Sequence, residues 1–164
     1  MYFFKQNFFN IKHFFNFIFA VFSILGLYKF IKIFTKNKSL ALISCLLTLS
    51  NPFFFGHMGI NPKDTIIFFS LIWFLYFFYR YTLNKKDFKN LILFSLFLGF
   101  GCGIRISFLV IVLPIIILGF FYYLDRFKLT VVSALKIKKF DIVFCILIVS
   151  ILTFLTWPHV HQGN

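Results

Sequence analysis

The sequence predicts an all-α fold, a polytopic transmembrane bundle of about six helices, and three observations predict it. Of the 164 residues, 61% are hydrophobic and only 13% charged, and no soluble domain of this length hides so much apolar surface. The apolar residues fall into stretches near the roughly 20 helical residues that cross a hydrocarbon core of ~30 Å. Lys and Arg gather in alternate connections between those stretches, as they do in membrane proteins. Together these features exclude a water-soluble enzyme, a disordered tail and a disulfide scaffold. A net charge of +13 in a soluble protein would suggest nucleic acid, but here the 17 basic residues are interrupted by apolar segments and line no continuous patch. They read as loop charge beside a bilayer, with no nucleic-acid partner. The cysteines Cys45, Cys102 and Cys145 sit inside apolar segments without metal or redox spacing and read as small packing residues.

The first apolar segment, 13–34, is too long for a cleavable signal and is followed by no small-residue cleavage site. The second, 40–55, is joined to the third, 65–83, by the stretch Asn51 to Asp64, which overlaps its end and reads as a loop that opens directly into a helix. The fourth, 91–104, is short and rich in glycine, so it reads as tilted or sunk between neighbours. The fifth, 106–124, follows it across a tight turn, and the sixth, 140–157, closes on Trp157 and Pro158, an interfacial anchor and a helix stop. No repeat or linker divides the chain, which reads as a single transmembrane domain over 1–164.

Sorting the basic residues by side fixes the expected topology. Lys29, Lys32, Lys36, Lys38, Arg80, Lys85, Lys86, Lys89, Arg126, Lys128, Lys136, Lys138 and Lys139 fall on one side, and only Lys5, Lys12, Lys63 and Arg105 on the other. The positive-inside rule places the first set in the cytoplasm of a multi-pass plasma-membrane (inner-membrane) protein. The loops 56–64 and 104–106 and the C-terminus are then extracytoplasmic. A first helix entered from outside is normally preceded by another, so residues 1–12 read as the end of an external loop.

The external face collects the unusual residues: His13, His57, Asn61, Lys63, Asp64, Arg105, Trp157, His159 and His161. Asn61, Pro62 and Asp64 suit the start of a helix, as a cap, a first-turn proline and a carboxylate on the helix dipole. Lys63 and Asp64 also suit a polar site facing a lipid-borne substrate, the lysine for phosphate and the carboxylate for a hydroxyl, a divalent ion or a proton. Gly99, Gly101 and Gly103 allow close approach of a helix or a ligand to the backbone, and Arg105 beyond them suits a lipid or substrate phosphate. His159 and His161 lack a third ligand, so no metal site is assigned. Asp87, Asp125 and Asp141, on the cytoplasmic side, read as solvated partners of nearby lysines.

The run from Ser50 to His57, the Asn61-Pro62-Lys63-Asp64 sequence, the glycine-rich turn ending in Ile104-Arg105 and the closing Trp157-Pro158 resemble the bacterial branch of the family 39 glycosyltransferases. These are polytopic GT-C enzymes similar to protein O-mannosyltransferases and aminoarabinose transferases, and this chain resembles a partial GT-C membrane domain. The resemblance implies transfer of a hexosyl or pentosyl group from a polyprenyl-phosphate carrier to an extracytoplasmic acceptor. It implies that Lys63 and Arg105 serve the phosphate, with His57 and Asn61 beside them, and that Asp64 binds acceptor, sugar or a metal ion. The cofactor is open, a divalent metal among the choices.

Members of that family carry their principal catalytic Asp in the first external loop, and residues 1–12 hold no carboxylate. The chain is therefore expected to be an internal fragment of such an enzyme, inactive by itself. Two other readings fit the same residues, a non-enzymatic protein that binds or transports a lipid phosphate and a structural membrane scaffold.

Overall fold

The computed structural model describes the backbone of residues 2–84 and 87–156, with side chains except those of 2–10, 57–60 and 135–137. The described residues are helical throughout, with short joints and no strand: α1 (Tyr2–Thr35), α2 (Lys38–Ser50), α3 (Pro52–Ile60), α4 (Pro62–Leu83), α5 (Phe88–Ile104), α6 (Phe108–Phe127) and α7 (Val131–Thr156). Among the described residues, four stretches are long and apolar enough to cross a membrane: Ile11–Thr35, Pro62–Leu83, Phe108–Phe127 and Lys138–Thr156. α2 and α5 are apolar but shorter. The sequence thus makes a helical membrane bundle because nearly every side chain along these segments is compatible with lipid, while the helix satisfies its own backbone polar groups.

One element differs from the sequence reading. The stretch expected as a loop between the second and third segments contains α3. Asn51 ends α2 and starts α3: its N–H donates to the Thr48 carbonyl (3.2 Å), and its side-chain oxygen accepts from the N–H of Phe53 (2.9 Å). Pro52 takes the first helical position, where its missing N–H costs nothing. The glycines and prolines that suggest a loop thus bound a short helix, on which Phe53 is 78% exposed.

Packing divides the chain into two compact units, 1–73 and 74–164. In the first, α1 and α2 form a hairpin. Asn37 caps α2, its side chain accepting from the N–H of Ser39 (2.9 Å) and of Leu40 (3.3 Å), and Ala20 and Ala41 are completely buried. The first half of α4 runs parallel to α1, since Phe19 meets Phe69 (5.0 Å between rings), the Trp73 indole N–H donates to the Phe22 carbonyl (3.2 Å) and Lys29 lies 5.3 Å over the Trp73 ring. The basic residues ending α1 therefore lie at the opposite end of this unit from the start of α4.

In the second unit the fourth predicted segment, α5, is indeed sunk among neighbours. Its residues Leu91, Phe94, Ser95, Leu98, Gly99, Gly101, Cys102 and Gly103 are buried. It runs parallel to α7: Phe88 meets Phe144 (5.0 Å between rings), and the Thr153 hydroxyl donates to the Gly99 carbonyl (3.5 Å). α6, which joins them along the chain, runs in the opposite direction, and the αL residue Lys128 (φ 49°) closes it. Arg80, Lys89, Arg126, Lys128, Lys138 and Lys139 consequently share one end of this unit, and Arg105 lies at the other.

Candidate functional site

In the first unit the polar residues of interest are built by the entry into α4. Asn61 is the single residue between α3 and α4, and Pro62 takes the first helical position. The Asn61 carbonyl accepts from the N–H of Thr65 (3.3 Å) and from its hydroxyl (3.1 Å), which starts the helical ladder. The Asn61 side-chain amide donates to Asp64 Oδ2 at 2.6 Å. Asp64 sits in the first turn, where backbone N–H groups and the dipole favour a carboxylate. Asn61 and Asp64 are half-buried, while Lys63 between them is exposed. One local turn thus fixes a carboxylate beside an exposed ammonium. His57 belongs to α3, but its side chain lies outside the described residues, as do Trp157, His159 and His161.

In the second unit Arg105 ends α5 in an extended conformation (φ −147°, ψ 121°). Its N–H donates to the Gly101 carbonyl (3.1 Å), and its own carbonyl accepts from the N–H of Phe108 (2.9 Å), which makes the turn into α6. Its side chain is exposed. The glycines before it serve helix packing. A Cβ on Gly99 would stand 2.8 Å from Leu152 Cβ and 3.1 Å from Val149 Cα, and one on Gly101 would meet the Phe108 ring. One on Gly103 would collide with Thr156. Of the two uses the sequence left open, close approach of helices is the one observed.

The carboxylates of the basic end are not simply solvated partners of lysines. Asp87 caps α5, accepting from the Asn90 N–H (3.1 Å), the Asn90 side chain (2.6 Å) and the Asn84 side chain (3.1 Å). Partial burial works against its charged form, but these hydrogen bonds and the Arg80 charge outweigh it and hold the carboxyl below its ordinary range. Asp125 is exposed. Asp141 belongs to a polar cluster inside the second unit: its Oδ2 accepts from the Tyr81 hydroxyl (2.6 Å) and from Lys138 Nζ (2.9 Å). Lys138 Nζ also lies 4.1 Å over the Tyr81 ring and 5.3 Å over that of Tyr123. The i,i+3 spacing of Lys138 and Asp141 is the only signal of this cluster in the sequence, since Tyr81 is distant along the chain. Among the described residues no three His, Cys, Asp or Glu side chains come together as a metal-ligand set.

Apolar helices of membrane-spanning length, repeated along one chain, define a multi-pass membrane protein. Residues 1–157 match the family model of dolichyl-phosphate-mannose-protein mannosyltransferases, and the chain belongs to that family of membrane glycosyltransferases. No curated protein and no solved structure matches it.

Proposed function

We propose that this chain serves transfer of a sugar from a polyprenyl-phosphate carrier to an extracytoplasmic acceptor in the plasma membrane, as in the bacterial family 39 enzymes. The observation that carries the reading is the family match over residues 1–157, which includes both polar turns. Such a reaction displaces a lipid phosphate from the anomeric carbon, so it needs cations for the departing phosphate and a group to orient or deprotonate the acceptor hydroxyl. Lys63 and Arg105, both exposed, are the proposed phosphate ligands. Asp64 is the proposed group for acceptor, sugar or a divalent ion, Asn61 its positioning residue through the 2.6 Å hydrogen bond, and His57 a further substrate contact. The helix directions within each unit support the proposed orientation, because each keeps its lysine-rich helix ends together, the ends the positive-inside rule assigns to the cytoplasm.

The test is capture of a photoreactive polyprenyl phosphate in membranes, paired with transfer from a polyprenyl-phosphate sugar. Arg105→Ala and Lys63→Ala should each lower capture about tenfold, the usual cost of losing one charged hydrogen bond. Asp64→Asn should leave capture intact and depress transfer. Capture unchanged in both cation variants overturns the assignment. Capture that depends on the cations while transfer ignores Asp64 would favour a lipid-phosphate carrier over a transferase.

A further inference from the structure

The α1–α2 hairpin of the first unit ends in four lysines, Lys29, Lys32, Lys36 and Lys38, all of them exposed. Lys29 and Lys32 lie one turn apart on α1, and Lys36 directly follows its last residue. At about 1.5 Å per helical residue the span from Lys29 to the end of α1 covers roughly 10 Å, close to one Debye length at physiological salt. Lys36 turns the chain in the αL conformation (φ 57°), and Lys38 opens α2, where the helix dipole adds to the positive potential. No carboxylate of this unit stands near them. Asp64 is the sole Asp or Glu in residues 1–73, and it sits in the first turn of α4, at the opposite end of the unit. Four like charges held so close repel one another, and an anion supplied from outside the chain relieves that repulsion.

The neighbouring side chains identify the source of that anion. Lys29 Nζ lies 5.3 Å over the Trp73 ring, and Lys32 Nζ lies 5.7 Å over the Tyr28 ring. Phe34 and Leu40, set among the lysines, are 58% and 47% exposed. This is the end of the spanning stretch Ile11–Thr35. Trp, Tyr and exposed apolar residues there match the headgroup layer of a bilayer, where lysine stems lie along apolar surface and their ammonium groups reach phosphates. The same apolar neighbours favour a lipid over a soluble acidic partner. We infer that this hairpin end is a binding surface for the head groups of anionic phospholipids, which gather around the folded protein beyond their share of the bilayer. The inference rests on neither the proposed reaction nor its residues.

The experiment uses Trp73, which lies beneath Lys29, as its reporter. The chain holds two tryptophans, so the full chain carrying Trp157→Phe keeps Trp73 alone. It is reconstituted in phosphatidylcholine vesicles with a minor share of phosphatidylglycerol, one lipid or the other carrying brominated chains that quench nearby indole fluorescence. Quenching should report phosphatidylglycerol around Trp73 at about threefold or more its share of the bilayer, as several lysines at an anionic surface would produce. Lys36→Gln with Lys38→Gln should lower that enrichment at least about twofold. Molar salt, which shortens the Debye length to about 3 Å, should lower it as well. Lys12→Gln with Lys63→Gln removes the same charge from the opposite end of the unit and should leave the enrichment unchanged. Helical circular dichroism checks folding of each variant. Native mass spectrometry of phosphatidylglycerol and phosphatidylcholine retained by the chain with Trp157 intact repeats the comparison should Trp157→Phe fail to fold. Equal quenching by the two brominated lipids overturns the inference. Enrichment unchanged in Lys36→Gln with Lys38→Gln also overturns it, leaving the lysines to a soluble acidic partner. Enrichment lost equally in the Lys12 and Lys63 control overturns it too, since net charge alone would then be the cause.

Discussion

Gly99→Ala tests whether backbone proximity, rather than side-chain filling, holds α5 against α7. Carbon atoms in good contact sit about 3.5–4.0 Å apart. The new methyl would stand 2.8 Å from Leu152 Cβ and 3.1 Å from Val149 Cα. Neither atom is the end of a flexible side chain, so relief requires the helices to move apart. Overpacking of this kind costs about 1–3 kcal/mol. Replacing a helical glycine returns roughly 0.5–1 kcal/mol through reduced backbone freedom. The net expectation is a loss of about 0–2.5 kcal/mol, or a melting point lower by up to roughly 10 °C at the 2–4 °C per kcal/mol typical of this chain size. Gly56→Ala is the control, because among the described residues nothing lies within 4 Å of a Cβ there. It should show only the gain. Thermal unfolding of the purified variants in one detergent, followed by circular dichroism at one scan rate, measures the difference. Truncating the neighbour with Leu152→Ala should add to the damage instead of relieving it, since Leu152 Cβ and Val149 Cα both remain. Stability of Gly99→Ala equal to or above that of Gly56→Ala, or rescue by Leu152→Ala, would refute the reasoning.

Two further predictions concern the charged residues of the basic end. Asp87 has a folded-state carboxyl held below its ordinary value, so its contribution is complete above about pH 3.9, the unfolded value, and is lost as pH falls through the lower folded value. Acid unfolding of the wild type in detergent should therefore steepen below about pH 4, and Asp87→Asn, which keeps a capping oxygen but cannot titrate, should flatten that limb. An unchanged limb would remove Asp87 from the acid response. Asp141→Ala would strand Lys138 without its ion pair in a site where that lysine is 5% exposed. A loss of about 3 kcal/mol or more is expected, with substantial recovery when Lys138→Met is added, because removing both charges avoids the uncompensated one. Melting temperatures of the single and double variants decide it, and a double variant as unstable as the single would show that the pair acts through something other than charge.

Much of the helical organisation was legible because lipid compatibility is a property of each side chain by itself. A stretch such as 108–127 needs no partner to declare what solvent it prefers. The Asn-Pro pairs were legible for a similar reason, since capping and the first helical position are local matters. α3 was not, because Pro52, Gly56 and Gly59 are punctuators in water, whereas a short apolar segment beside a bilayer gains from closing its own backbone hydrogen bonds. For the three glycines the sequence allowed either a helix or a ligand to come close. Only the tertiary partners, Leu152, Phe108 and Thr156, decide between the two.

Asp141 shows where a one-dimensional count of charge loses information. Counted along the chain, it is an acid among lysines and cancels one of them. In the second unit it is the point where α7 accepts a 2.6 Å hydrogen bond from Tyr81 of α4 and holds a 2.9 Å ion pair with Lys138 of its own helix, while Tyr123 of α6 faces the same lysine. A group with those partners is no longer free to screen a neighbouring lysine in solution. Its cost of desolvation is met by Lys138 and Tyr81, and among the described residues the buried Tyr123 hydroxyl, a neutral group that no charge count registers, has no hydrogen-bond partner. Topology depends on the charges that stay in water, which is why sorting lysines by side remains useful at Lys128 and Lys139.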